Sequence, residues 1–339
     1  MKKINYTDIV YGKIRIDTPV VEEIIQSEYF QRLKDVNQGG YLPLWKKLCN
    51  MEIDSFEYSR FTHSVGVYTL LKKYKVPIEE QLYGLIHDLS HTSFSHCIDY
   101  VMKEGSQKKH DYQDNSFHAY VNQTNIPEIL EKYGYSTKKI LDETNFSIAE
   151  KDLPDLCADR VDYSLREGLI YKEITEEEKN SILYNLEVIN NDWVFKDFDV
   201  AKKYSKMFSN LNNKYYSGIK SASMFAVVSD CLKYALKHNY ISIDDFYTTD
   251  TKLISKLEPF VEKDSHFKKL WERMHGHFSV KQDLNSRRIF CKSRVVDPLV
   301  LDDKEIKRFS DIETNWKKIV EKEIEPREYF LSILDTKEF

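Results

Sequence analysis

Glycine and proline are scarce in this chain, with 10 and 8 among 339 residues. Both residues punctuate turns, and a sheet-rich fold needs many of them. Their scarcity argues against a sandwich, barrel or propeller and for long helices. The five cysteines, Cys49, Cys97, Cys157, Cys231 and Cys291, include no closely spaced pair. A disulfide framework or a CxxC zinc site is therefore not expected, and the thiols fit a reducing compartment. No stretch approaches the roughly 18 apolar residues of a membrane-spanning helix, and the opening MKKINYTDIVYGKIRIDT lacks the apolar run of a secretory signal. The expected location is the cytoplasm. Basic blocks are missing too. With 50 Lys and Arg against 55 Asp and Glu, the net charge is −5, which argues against nucleic acid or an anionic membrane as the main partner. A phosphate-bearing ligand would have to be met by local basic residues or a metal.

What is present is helical patterning. Hydrophobic residues make up 41% and charged residues 31%, as in a soluble globular protein with one large domain or two ordinary ones. Apolar spacing of three and four predicts helices in VVEEIIQSEYFQRLKDV, in HSVGVYTLLKKY, after the Pro77 break in EEQLYGLIHDLSH, in SASMFAVVSDCLKYALKHNY, and in SDIETNWKKIVEKEI. Strand signals are confined to YGKIRID and RRIFCKSRVV, and KEITEEEKN reads as a solvated loop or helix start. The expected organisation is a mainly helical core over 1–255 and a smaller α+β part over 256–339.

The segment LIHDLSHTSFSHCIDY, residues 85–100, holds three histidines and two aspartates where the flanking pattern calls for a buried helix. On a helix His87 and His91 share a face, with Asp88 three residues before His91, and His96 precedes Asp99 by the same interval. SRFTHSVGV places His63 on a second apolar helix, and DLCADRVDYSLREG places Asp159 and Asp162 on a third. A lone histidine on an apolar face is more often a satisfied core residue. Several imidazoles and carboxylates on three helices are explained together by one divalent cation, whose charge offsets their burial.

A histidine, a His-Asp pair and a distant Asp, in that order, resemble the HD-domain metal-dependent phosphohydrolases. SEYFQRLKDVNQGG, SRFTHSVGV, LIHDLSHTSFSH and CADRVDYSLREG stand in the order seen in the branch of deoxynucleoside triphosphate triphosphohydrolases that includes the animal SAM-and-HD-domain enzyme. YYSGIKSASMFAVVSD and DDFYTTDTKLISKL are weaker members of the same series. The resemblance implies an HD-domain helical bundle and one divalent ion (Fe, Mn, Ni, Zn or Mg) on His63, His87, Asp88 and Asp159. It assigns His91, His96, Asp99 and His110 to catalysis, with His96–Asp99 shuttling a proton and His118 a rival of His110. It assigns Arg60 and Arg160 to phosphates, Gln38 and Glu167 to a sugar hydroxyl, and Tyr163 and Tyr216 to the sugar pocket, with Tyr215 a rival of Tyr216. Hydrolysis of a nucleotide phosphoester is implied, foremost of a dNTP to deoxynucleoside and triphosphate, in a homo-oligomer. The alternatives are a nucleoside monophosphate or modified nucleotide as substrate, or a metal-bearing regulatory module without turnover.

Several positions depart from that pattern. The loop between Gln38 and Arg60 is longer than usual, the G-H-G-P of relatives is Ser90-His91-Thr92-Ser93, Phe208 stands about where they carry a phosphate-binding arginine, and SGI replaces a His-Lys pair. Around FQRL, where guanine-nucleotide-activated relatives carry an acid and an arginine, this chain has Ser27 and Lys34.

Overall fold

A computed structural model describes residues 4–336. It is mainly α-helical with a smaller α+β part. The three-and-four spacing becomes the helices Arg60–Lys73, Ile78–Ile86 (after the Pro77 break), Ala158–Ile170, Phe198–Leu211 and the nineteen-residue Ile219–Lys237. Side-chain caps set several starts. Ser59 accepts from Thr62 N at 3.3 Å and Asp197 from Val200 N at 2.9 Å. Thr175 and Glu178 form a reciprocal capping box, so KEITEEEKN is a helix start. Helix 60–73 is central and packs on 78–86 and 158–170. Its Val65, Leu70 and Leu71, like Leu85, Val161 and Leu165 of its neighbours, are fully buried, each contributing about 1.5–3 kcal/mol of transfer free energy.

The long helix expected over 20–36 is broken at Ser27, whose φ of −61° and ψ of 146° are extended. The Ser27 hydroxyl accepts from Phe30 N at 3.2 Å and starts a new short helix, Glu28–Gln31, followed by the 3₁₀ turn Arg32–Asp35. Nor is 85–100 one helix. The α-helix stops at Ile86, and the chain runs through turns into the 3₁₀ segment Ser95–Tyr100. Phe94 and Ser95 take left-handed φ values of 59° and 40° there. The carbonyls released by this break are satisfied from a distance: Arg32 Nη2 donates to Leu89 O and His91 O, both at 2.8 Å, while Nη1 reaches Thr248 O at 3.0 Å. A buried guanidinium thus replaces the missing helical turn.

Strands are few. Ile4–Asp8 pairs with Gly12–Ile16 in a hairpin, and Phe278–Cys291 pairs with Arg327–Asp335. A four-stranded sheet runs in the order Leu186–Ile189, Asp192–Phe195, Leu299–Asp302, Glu305–Arg308, its second and third strands parallel. SDIETNWKKIVEKEI forms two helices, Phe309–Ile312 and Thr314–Glu323, interrupted at Glu313. Residue 255 falls inside the helix Asp250–Leu257, and the four-stranded sheet joins strands from before and after it. Ile289, Cys291, Val296 and Phe309 share one hydrophobic core with the helices. Residues 1–3 and 337–339 of the two expected segments lie outside the described residues. Among the described residues no helix is long and apolar enough to cross a membrane.

Candidate functional site

His63 sits at the end of the first turn of helix 60–73 and is fully buried. Its Nδ1 lies 2.8 Å from Asp162 Oδ2, which leaves Nε2 as the outward donor atom. Asp162 is itself held by Arg166, whose Nε and Nη2 donate to it at 3.2 and 3.1 Å, and Arg166 Nη1 continues to Asp8 Oδ2 at 3.0 Å. Gly66 permits this packing, since a Cβ there would fall 2.1 Å from Asp162 Oδ1 and 2.6 Å from Arg166 Nη2. His87, at the end of helix 78–86, is fixed in the same way. Its Nδ1 meets Gly84 O at 2.8 Å, and Nε2 faces inward.

Asp88 and Asp159 face these two nitrogens. Asp159 Oδ1 lies 2.9 Å from His63 Nε2 and 3.4 Å from His87 Nε2, while the Asp88 oxygens lie 3.5 Å from each. Neither Nε2 finds a properly directed hydrogen bond. The donor atoms of His63, His87 and Asp88 lie within 4.8 Å of one another. Two imidazole nitrogens, oriented from behind and unsatisfied in front, with two carboxylates facing them, fit a divalent cation. The charges agree. Against the cost of burial, Asp159, Asp162 and Asp88 push His63 up to about 10. Also against burial, Arg60, His87 and His91 hold the Asp88 carboxyl well below its ordinary range. The carboxylates that raise these imidazoles would equally favour a cation between them.

The remaining histidines line one wall. His91 Nε2 is 3.2 Å from Asp88 Oδ1. His96 Nδ1 is 3.4 Å from Asp99 Oδ2, and its ring stacks on His110 with centroids 4.8 Å apart. The structure brings His110, which is buried, to this pair and leaves His118 exposed at the mouth. Burial, with His110, Arg60, His91 and Arg294 close by, lowers His96 well below the usual imidazole range. Burial raises Asp99 to about 7.

A cavity of about 1060 Å³ opens onto these groups, lined by Gln38, Arg60, Arg160, Tyr163, Glu167 and Tyr216 among others. Arg60 is partly committed: Nη1 donates to Asp88 Oδ2 at 2.7 Å and Nη2 to Gln38 O at 2.6 Å. Arg160 donates to the carbonyls of Lys151 and Asp155. Tyr163 and Tyr216 meet edge to face at 5.7 Å, with Phe208 6.1 Å from each. Tyr216 lies on a π turn, Asn212–Tyr216, closed by Ser217 N donating to Asn212 O at 2.9 Å. Tyr215 also lines the cavity but stacks on Tyr171 at 4.1 Å. Gln38 Oε1 is buried without a partner. Missed from the sequence were the Asp162–Arg166–Asp8 chain and two cavity cations, Lys292 and Arg294. Asp162 and Arg166 do carry a trace, an (i, i+4) acid–base pair on an apolar helix.

No protein-family model matches the sequence. The uncharacterized protein YdhJ of Bacillus subtilis is 34% identical over 309 residues, covering 89% of this chain and 90% of that protein. The metal-dependent phosphohydrolase cns2 of Cordyceps militaris is 28% identical over 228 residues, 64% of this chain and 62% of that protein. The chain belongs to the HD-domain metal-dependent phosphohydrolase family. Human deoxynucleoside triphosphate triphosphohydrolase SAMHD1 is 30% identical over 156 residues, which cover 40% of this HD-domain chain and 23% of that enzyme. In fold, the chain matches a phosphohydrolase from Bacteroides thetaiotaomicron with a TM-score of 0.67 over 99% of its length and all of the other, at 14% identity.

Proposed function

We propose that this HD-domain protein hydrolyses a nucleotide phosphoester, foremost a dNTP to deoxynucleoside and triphosphate. The observation that carries this reading is the juxtaposition, at one cavity, of the His63–His87–Asp88–Asp159 donor set with the His96–Asp99 pair. A divalent ion bound there supplies Lewis acidity toward a phosphoryl oxygen and lowers the pKa of attacking water. The protein's groups do the rest. Asp162 and Gly84 O hold the two imidazoles in the ligating orientation. Arg60 brackets Asp88 and, with Arg160, presents planar donors to phosphate oxygens. His96, whose ring Asp99 orients from 3.4 Å, is placed to hand a proton to the leaving oxygen. Tyr163, Tyr216, Gln38 and Glu167 offer two aromatic walls and two polar ends suited to a sugar.

A second substrate reading, a nucleoside monophosphate or modified nucleotide, is favoured by one observation: Phe208 is buried among Tyr163, Tyr204 and Tyr216 and gives the cavity no charge. A nucleotide panel incubated with Mn, Fe, Co or Mg, with products resolved by chromatography, separates the two. Triphosphate released from dNTPs supports the first, and orthophosphate from monophosphates the second. Absence of turnover with a full metal complement would leave a regulatory module. The homo-oligomer implied by family resemblance is read by light scattering as a mass of at least twice 40.3 kDa.

A further inference from the structure

Lys292 and Arg294 come from CKSRVV, the stretch leaving the strand Phe278–Cys291. The backbone there is extended, and its burial alternates. Cys291, Ser293 and Val295 are buried, while Lys292 and Arg294, on the opposite face, line the cavity. The stretch is fastened from behind. Asn212 Nδ2 donates to Ser293 Oγ at 3.0 Å, and Arg294 N donates to Asn212 Oδ1 at 2.9 Å. Asn212 opens the π turn that carries Tyr216, and the Arg294 guanidinium lies 5.6 Å from the Tyr216 ring centroid.

Among the described residues neither cation has a carboxylate within ion-pair distance. Other basic residues of the same region are paired: Arg287 with Asp230, Arg288 with Glu328, Lys307 with Asp302 and Arg308 with Asp155. Among the described residues neither Lys292 nor Arg294 makes an ion pair, and neither side chain makes a hydrogen bond. Holding two like charges two residues apart at a partly desolvated wall is unfavourable unless an anion joins them. Burial and Arg294 lower the Lys292 ammonium, although Asp114 and Glu150 face it and oppose the shift. Both cations also act on His110, and Arg294 acts on His96, so they stand on the side of the cavity opposite neither the ion site nor the sugar pocket but beside the proton-handling wall.

We propose that Lys292 and Arg294 form a clamp for a phosphate chain of two or more phosphates. Arg60 and Arg160 stand near the candidate ion site, and Lys292 and Arg294 stand beside the proton-handling wall of the same cavity. A chain of phosphates can meet both groups of cations, whereas a single phosphate held by the first leaves the second unmet. The clamp therefore selects nucleoside di- and triphosphates over monophosphates. It rests on the nucleotide-hydrolase reading only in taking the chain to be a nucleotide's own tail.

The test is calorimetric titration of the full-length chain with inorganic tripolyphosphate in excess Mn, alongside steady-state kinetics on dNTPs and dNMPs. In Lys292→Met/Arg294→Met, tripolyphosphate affinity should fall about 10- to 100-fold, and KM for a dNTP should rise by a like factor while metal content holds. KM for a monophosphate should move less than about 3-fold, and Arg294→Lys should restore part of the loss. Should the double variant melt early, Lys292→Gln and Arg294→Gln singly serve in its place. Wild-type tripolyphosphate affinity in well-folded variants overturns the clamp. Because that arm needs no turnover, a chain that binds tripolyphosphate through these residues yet hydrolyses no nucleotide sinks the functional reading and keeps the clamp. Tighter binding of a dNTP than of tripolyphosphate identifies the nucleotide tail as its source, and the reverse order a free polyphosphate.

Discussion

At the scale of the residue, the ion site is specified from behind as much as in front. His63 offers Nε2 because Asp162 takes Nδ1, and against the cost of burial Arg166 and His63 hold the Asp162 carboxyl below its ordinary range. Removing a front-line donor should therefore abolish the ion. We expect purified protein to carry close to one transition metal per chain, and His87→Ala or Asp88→Ala to lose metal and activity together. Unchanged elemental analysis in both would refute the assignment. Asp162→Ala should weaken metal binding about 10- to 100-fold. His96 behaves differently. His96→Ala should keep the ion and lose about 10²- to 10⁴-fold in rate. Its partner sets a pH dependence. Burial raises the Asp99 carboxyl to about 7, so Asp99 is protonated below that value and orients His96 only above it. Activity should rise with pH through about 7, and Asp99→Asn should flatten that limb at a low rate. A wild-type acid limb that survives Asp99→Asn would assign it to another group. The candidate donors His63, His87, Asp88 and Asp159 stood out in the sequence because imidazole and carboxylate jar with an apolar helix pattern, and the structure brings them within 3.5 Å of one another in pairs. Lys292 and Arg294 did not stand out, because a basic residue in an alternating stretch looks the same whether it faces water or a cavity, and only the long-range packing on Asn212 decides.

At the scale of the element, periodicity located the helices but not their breaks. The stretch 85–100 carries helical spacing, yet a continuous helix would spread His87, Asp88, His91, His96 and Asp99 along one axis. Stopping at Ile86 and turning through left-handed Phe94 and Ser95 folds them around one cavity wall. What permits the break is Arg32, more than fifty residues earlier, and a local window cannot contain it. The same region bears on regulation. Ser27, where activated relatives carry an acid, is buried with its hydroxyl engaged at both ends: it donates to Ile24 O at 2.8 Å and accepts from Phe30 N. Lys34 donates to Gln31 Oε1 at 2.6 Å and lies 4.9 Å over the Phe61 ring. Serine cannot accept guanine's paired hydrogen bonds as a carboxylate does, and lysine lacks arginine's fork. Hydrolysis of a non-guanine substrate should thus need metal but neither GTP nor dGTP. Strong stimulation that Lys34→Ala abolishes would show an altered activator site.

At the scale of the molecule, composition foretold a mainly helical protein with a small α+β part, and the sequence pattern placed a division near residue 255. The packing gives that division no seam. Asp192–Phe195 lies beside Leu299–Asp302 in one sheet, Tyr100 O–H donates to Phe290 O at 2.6 Å, and Asn212 Nδ2 donates to Ser293 Oγ at 3.0 Å. Residues past 255 also complete the cavity, through Lys292 and Arg294. Deleting them would bare buried Val194 and Phe195 at a sheet edge and remove the cover from helix 219–237, whose face packs on Ser265–Met274. An exposed apolar edge invites aggregation, and the lost burial exceeds the few kcal/mol by which a domain is stable. We therefore expect the fragment 1–255 to be aggregated or to melt without a cooperative transition, and to bind no stoichiometric metal although it holds all four ligands. The full chain should unfold in one transition that carries the metal with it. Calorimetry on both, with metal analysis, decides: a soluble 1–255 fragment that melts cooperatively with its metal bound would make the rest a separable domain.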